Sequence, residues 1–121
     1  MSRADTVCTL VPYFDVPTDK LEEFKALGAQ FVERTRSEPG CVHYAFSTFK
    51  NQVHCREGYD SAEAVLAHLD NVGELLQKAL AIAYIIRLEV HAPAAEIEKL
   101  SVPLAGLRPE YFVLQEGGFR R

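Results

Sequence analysis

At 121 residues, 48% apolar and 25% charged, the chain has the length and composition of one globular domain with a single core, and no apolar run in it is long enough to span a bilayer. Its formal net charge of −4, with Lys and Arg scattered along the sequence, excludes the concentrated basic face that a nucleic-acid partner requires. The first residues, MSRADTVCTL, lack the apolar core of a signal peptide, and Cys8, Cys41 and Cys55 are an odd set without CxxC spacing, so free thiols in the cytoplasm are expected.

Thr6–Phe14 is rich in β-branched and aromatic residues and reads as a first strand, with Pro12 pointing to an edge, a bulge or an early end of pairing. Asp19–Arg36 reads as a helix. Asp19 and Glu22 have capping-box spacing, and Leu21, Phe24, Leu27, Gly28, Phe31, Val32 and Thr35 share one face. Gly28 on that face allows another backbone to come close. Pro39-Gly40 stops the helix. Cys41–Phe49 and Val53–Tyr59 flank the polar turn Lys50-Asn51-Gln52 as an antiparallel hairpin. Asp60–Leu69 is a second helix with an Asp60/Glu63 capping signal, Asp70-Asn71 breaks or bends it, and Val72, Leu75, Leu76, Ala79 and Ala83 continue the stripe. In Ile85–His91, Ile86, Leu88 and Val90 alternate with Arg87, Glu89 and His91, a half-buried strand. Ala94–Leu100 follows as a short helix and Glu110–Leu114 as a short strand.

The order β-α-β-β-α-β predicts an α+β, ferredoxin-like domain with an antiparallel sheet, its core over residues 6–91 and a C-terminal extension over 92–121. Both helices then pack on one face of the sheet. Alternate residues on the strands leave neither face clearly polar, with Val42, Tyr44 and Phe46 against His43, Ala45 and Phe49 on the second strand. A homodimer with two sheets packed face to face is therefore expected.

Three motifs in order carry a resemblance: Ser37-Glu38-Pro39-Gly40-Cys41 followed by Tyr44, then Arg56-Glu57-x-Tyr59, then Ala64-x-x-Ala67-His68. Over roughly residues 6–91 the chain resembles the antibiotic biosynthesis monooxygenase family of dimeric α/β-barrel proteins. Some members oxygenate phenolic or quinol-type substrates without any cofactor, some degrade haem, and others have no known reaction. The resemblance implies the fold and points to a cofactor-independent monooxygenase acting on a small aromatic or quinol-type molecule; the alternative is a non-catalytic, small-molecule-binding or stress-related dimer. The haem-degrading branch places its iron-ligating histidine on a helix stretch that corresponds here to Glu74–Ala81, which has none.

Cofactor-independent oxygenation needs an apolar slot, a base and a donor that holds the resulting anion. His68 borders the buried face of its helix, and an ordinary imidazole pKa suits a base or proton shuttle. Tyr59, at a strand end where the family has Trp or Tyr, would hold a substrate oxygen or stack on a ring, and Asn71 would position the substrate or cap a helix. Tyr13, Tyr44, Phe46, Tyr84 and Arg87 are further candidates for the substrate site. Glu57 has the same strand parity as Tyr59, and Arg87 is its expected ion-pair partner. His43 and His54 sit on the two hairpin strands, but His54 and Glu57 have opposite parity, so no metal site is expected.

Overall fold

The computed structural model describes residues 2–121. In chain order these form β1 (Arg3–Ala4), β2 (Cys8–Asp15), α1 (Leu21–Thr35), β3 (Cys41–Phe49), β4 (Gln52–Tyr59), α2 (Ala62–Ile82), β5 (Tyr84–Ala92), α3 (Ala94–Leu100), β6 (Glu110–Val113) and β7 (Phe119–Arg120). Five strands make one sheet in the order β3-β4-β2-β5-β6, antiparallel except for the parallel β5–β6 pair. This is the expected α+β, ferredoxin-like arrangement, with β6 added at one edge. The short strands β1 and β7 pair with each other as a separate ribbon.

Both α1 and α2 cover the same face of the sheet. The inward set is Leu10, Phe14, Val53, Cys55, Glu57, Tyr59, Leu88 and Val90, all buried. The layer divides into two apolar clusters. One gathers Cys8, Leu10, Tyr59, Val65, Leu88 and Val90 with Leu100 and Leu104 of the C-terminal extension. The other gathers Phe14, Phe24, Leu27, Phe31, Val53, Val72 and Leu75. The buried polar residues Glu57 and His68 lie in the same layer.

Several local expectations are corrected. Pro12 is not at an edge, because β2 lies at the centre of the sheet. The β2–β4 ladder skips Val11 and Pro12, while Pro12 pairs with Leu88 on the other side. A proline that lacks the donor is tolerated where the ladder is already interrupted. A turn of 3-10 helix over Thr18–Lys20 precedes α1, which begins without a side-chain cap, so the Asp19/Glu22 box does not form. The cap of α2 is Ser61 rather than Asp60: its Oγ accepts from the Ala64 amide at 3.2 Å, and the Glu96 carboxylate of α3 accepts from Ala62 at 2.9 Å. Asp70-Asn71 do not break α2, which runs unbroken from Ala62 to Ile82. Their weak helix preference yields to packing, since the Asn71 side chain bonds across to the α1 end rather than to its own backbone. Gly28 admits a side chain, the Phe46 ring, rather than a backbone. A bulge between Cys41 and His43 leaves Val42 exposed and lets Cys41 pack with the buried cluster around Tyr59.

Candidate active site

The site is assembled where the α1–β3 loop meets the start of α2. The loop is fixed by backbone bonds from Glu38 to the Thr35 carbonyl (3.0 Å) and from Cys41 to the Glu38 carbonyl (3.3 Å). Gly40 accepts from the Asp60 amide at 2.9 Å and lies so close to α2 that a Cβ there would meet the Ala64 methyl at 2.6 Å. The E-P-G-C motif thus presses the loop onto α2 at Ala64, about one helical turn before His68, and Glu38 turns its carboxylate onto the ring.

Glu38 takes His68 Nδ1 between its two oxygens, at 3.1 and 2.9 Å. Asn71, one helical turn beyond His68, donates from Nδ2 to Glu38 Oε2 at 2.7 Å and to the Arg34 carbonyl at 3.1 Å. Arg34 answers with a bond to the Asn71 carbonyl (3.3 Å) and an ion pair with Glu74 at 2.6 Å. The pairing points to the tautomer: both Glu38 oxygens face Nδ1 and one already accepts from Asn71, so Nδ1–H is donated to Glu38 and Nε2 presents its lone pair inward.

On the other side of the ring, Nε2 is 3.6 Å from Glu57 Oε1. That is beyond a formed hydrogen bond. Glu57 instead accepts from the Tyr59 hydroxyl at 2.6 Å. The rings of Tyr44 and Tyr59 flank His68 at centroid distances of 5.1 and 5.2 Å. Burial pushes the Glu57 carboxyl up to about 7, against the bonds from Tyr59 and Cys55 that favour its anion. Burial also lowers His68, with the Glu38 carboxylate pulling the other way. Both tyrosines and Cys55 are pushed up, by burial first and by the Glu57 charge second. The lowered His68 therefore favours its neutral imidazole near neutral pH, beside a Glu57 carboxyl raised into the neutral range.

These groups close one end of a narrow cavity of about 50 Å³. Tyr44, Cys55, Glu57 and His68 line that end; Leu10, Phe31, Phe46, Leu88 and Leu104 are among the apolar walls. Of the residues singled out in the sequence, His68, Tyr59, Asn71, Tyr44 and Phe46 are brought to or beside this cavity. Tyr13, Tyr84 and Arg87 are not. Tyr13 is on the opposite face of the sheet, edge-on to His54 at 5.3 Å and beneath the Arg87 guanidinium at 6.0 Å. Tyr84 is 70% exposed. Arg87 pairs with Glu110 and Glu89 at 2.7 and 3.0 Å, not with Glu57, because strand alternation puts it and Glu57 on opposite faces. Glu38 and Cys55 also belong to the site, and the sequence alone does not single them out as such. Glu38 carried one signal, its place in the E-P-G-C motif, but its partner lies thirty positions away. Among the described residues no group of three or more His, Cys, Asp or Glu is arranged to hold a metal ion, and no helix is long and apolar enough to cross a membrane.

A family model described as antibiotic biosynthesis monooxygenase matches residues 8–73, which hold Glu38, Glu57, Tyr59, His68 and Asn71. The crystal structure of MupZ from Pseudomonas fluorescens is similar at 45% identity and a TM-score of 0.90, with 96% of each chain covered. A solved antibiotic biosynthesis monooxygenase gives a TM-score of 0.63 at 16% identity, covering 69% of this chain and 94% of its own, a likeness of fold alone. The sll1783 protein of Synechocystis sp. is 46% identical over 43 residues, 36% of this chain but 29% of that protein, so the chain spans under a third of this curated relative.

Proposed function

The chain belongs to the antibiotic biosynthesis monooxygenase family, and on that premise we propose that it is an enzyme that moves protons on a small, largely apolar molecule held between sheet and helices. The observation that carries this reading is His68, buried between the Glu38 carboxylate, 2.9 Å from Nδ1, and a raised carboxyl 3.6 Å from Nε2. A substrate hydroxyl or acidic C–H presented to Nε2 gives up its proton there. Glu38 stabilises the imidazolium that forms, and Asn71 fixes Glu38. Glu57, held by Tyr59 beside Nε2, returns or donates a proton at the same end of the cavity.

Within the family the reaction that fits is cofactor-independent oxygenation of an aromatic or quinol-type molecule. Deprotonation gives an electron-rich carbanion or phenolate. The reacting carbon, which keeps one hydrogen, takes dioxygen and a proton to become a hydroperoxide; loss of water across the O–O bond leaves a carbonyl, so one oxygen atom enters the product and the other leaves as water. His68 would be the proton acceptor, while Tyr59 and Asn71 would keep the site in register. A second reading, an isomerisation or decarboxylation without oxygen, is favoured by one observation: Glu57 lies 3.6 Å from His68 Nε2, and an acid and a base set side by side suffice to move a proton between substrate atoms with no oxidant. The family is commonly dimeric, and the open sheet face, with Val11, Tyr13, Phe49 and Phe112 among polar neighbours, supports a homodimer through that face.

The test is oxygen uptake with a panel of anthrones, naphthols and hydroquinones. Uptake that falls about a hundredfold or more in His68→Ala supports the base role; unchanged uptake removes it. Turnover that persists without oxygen selects the second reading. Binding with no turnover under either atmosphere selects a non-catalytic binding protein. Light scattering that finds a stable monomer at micromolar concentration would sink the dimer.

A further inference from the structure

The cavity is not symmetric. All four of its polar liners, Tyr44, Cys55, Glu57 and His68, sit together, and the other liners are apolar. Six apolar liners are half-buried: Pro12 of β2, Phe46 beside Tyr44 at 5.8 Å, and a group made of Leu69 and Leu76 of α2, Ile85 of β5, and Leu107. Asn71 and Glu74 of α2 face α1 through Arg34, so Leu69 and Leu76 occupy the opposite flank. The cavity therefore runs from the proton-transfer groups to an apolar mouth between α2, β5 and the C-terminal extension.

That extension supplies two of the walls. Leu104 is fully buried and Leu107 half-buried, and they line the cavity from the start and the end of a turn of 3-10 helix, Ala105–Leu107, that Leu104 precedes. The segment is anchored at both ends. Before it, α3 is held by Glu96 on the Ala62 amide, by Lys99 on Glu63 at 3.1 Å, and by Tyr111, which donates to the Leu100 carbonyl at 3.3 Å. After it, β6 pairs with β5. Between the anchors, the hydrogen bonds of residues 101–108 among the described residues run to their own segment or to α3, at Ile97, Glu98 and Leu100. Side chains such as Leu104 and Leu107 are what it lays on the body of the protein. The family match ends at residue 73, so these walls lie outside the part of the chain that the match covers.

We propose that the C-terminal segment around Leu104 and Leu107 is a specificity wall, and that the ligand is elongated and amphipathic: a small polar end at His68 and Glu57, and an aliphatic or aryl body reaching to the mouth. The free space of about 50 Å³ accommodates only a few water molecules. A ligand body displaces Leu107 and the loosely held turn rather than the sheet or α2. The proposal rests on the proton-transfer reading for the placement of the polar end, while the length of the body is read independently of any chemistry.

Binding of 4-alkylphenols from ethyl to octyl to the full chain, followed by calorimetry, tests it. Affinity rises roughly three- to fourfold per methylene in the wild type, as burial of each CH₂ requires. Leu107→Trp, which fills the mouth, lowers octylphenol affinity by about tenfold or more and leaves ethylphenol within about twofold, on the same scale per methylene. Leu107→Gln keeps the size, removes the apolar surface, and flattens the chain-length dependence, which guards against a Trp variant that folds poorly. Affinity that does not depend on chain length, or a Leu107→Trp effect equal for all phenols, overturns the proposal. A protein that discriminates by length yet turns nothing over would refute the proton-transfer reading and leave this one standing.

Discussion

Glu57→Gln isolates the electrostatic strain stored at the site. The carboxyl moves from the usual 4.5 to about 7 on folding, chiefly because burial disfavours its charge. Its folded-state pKa is raised, so its favourable contribution is complete below about pH 4.5 and is lost as pH rises to about 7. At about 1.36 kcal/mol per pH unit, the loss is about 3 kcal/mol on the alkaline side. Gln keeps the shape and an oxygen to accept from the Tyr59 hydroxyl, but it carries no charge to desolvate. The variant should match the wild type near pH 4.5 and exceed it by up to about 3 kcal/mol above pH 7. The lowered pKa of His68 acts with the opposite sign, losing stability as pH falls below its ordinary 6.5. With Nε2 3.6 Å from Glu57 the two titrations interact between these limits, but that contribution is the same in both proteins near pH 4.5, where Glu57 is uncharged, and above pH 7, where the imidazole is neutral, so the difference is read at those two ends. Urea denaturation at fixed protein concentration across pH 4.5 to 8.5 gives the comparison. A difference that is constant with pH, or a variant less stable than the wild type at pH 8, would refute the account of Glu57 as a desolvated acid.

Glu38→Gln keeps the loop geometry but removes the charge that stabilises protonated His68; turnover should fall about ten- to a hundredfold and the base limb of the pH–rate profile should move to lower pH, with near-UV circular dichroism unchanged. Gly40→Ala should cost about 1–3 kcal/mol by urea denaturation, because the new methyl meets an Ala64 methyl that cannot swing away, whereas Gly58→Ala, which meets the exposed and mobile His43 ring, should cost well under that. Cys8 and Cys41 are pushed up to about 11 and Cys55 further, in each case chiefly by burial; the native protein should react slowly with a disulfide reagent at pH 8, and three thiols should appear promptly in denaturant. Prompt reaction of the native thiols would contradict their placement.

Local patterns determined the architecture here because their signals are short-range. The apolar face of α1 from Phe24 to Thr35, the alternation along β4 and β5, and the hairpin turn all act within a few residues, and the order of those elements leaves few ways to close one core. Alternation also placed Glu57 and Tyr59 on one face, and helical spacing placed His68 at the buried edge of α2. Long-range geometry decided the rest. That Glu57 meets His68 rather than Arg87 follows from which face of the sheet the helices cover, and a strand pattern alone does not say which face that is. Asn71 stabilises a helix it was expected to break because its partner, Glu38, arrives from the α1–β3 loop. Leu104 and Leu107 join the cavity from a segment whose own sequence shows only a turn. The residue types at the site were set by the sequence; their convergence belongs to tertiary packing, because burial and pairing depend on groups that meet only once the chain has folded.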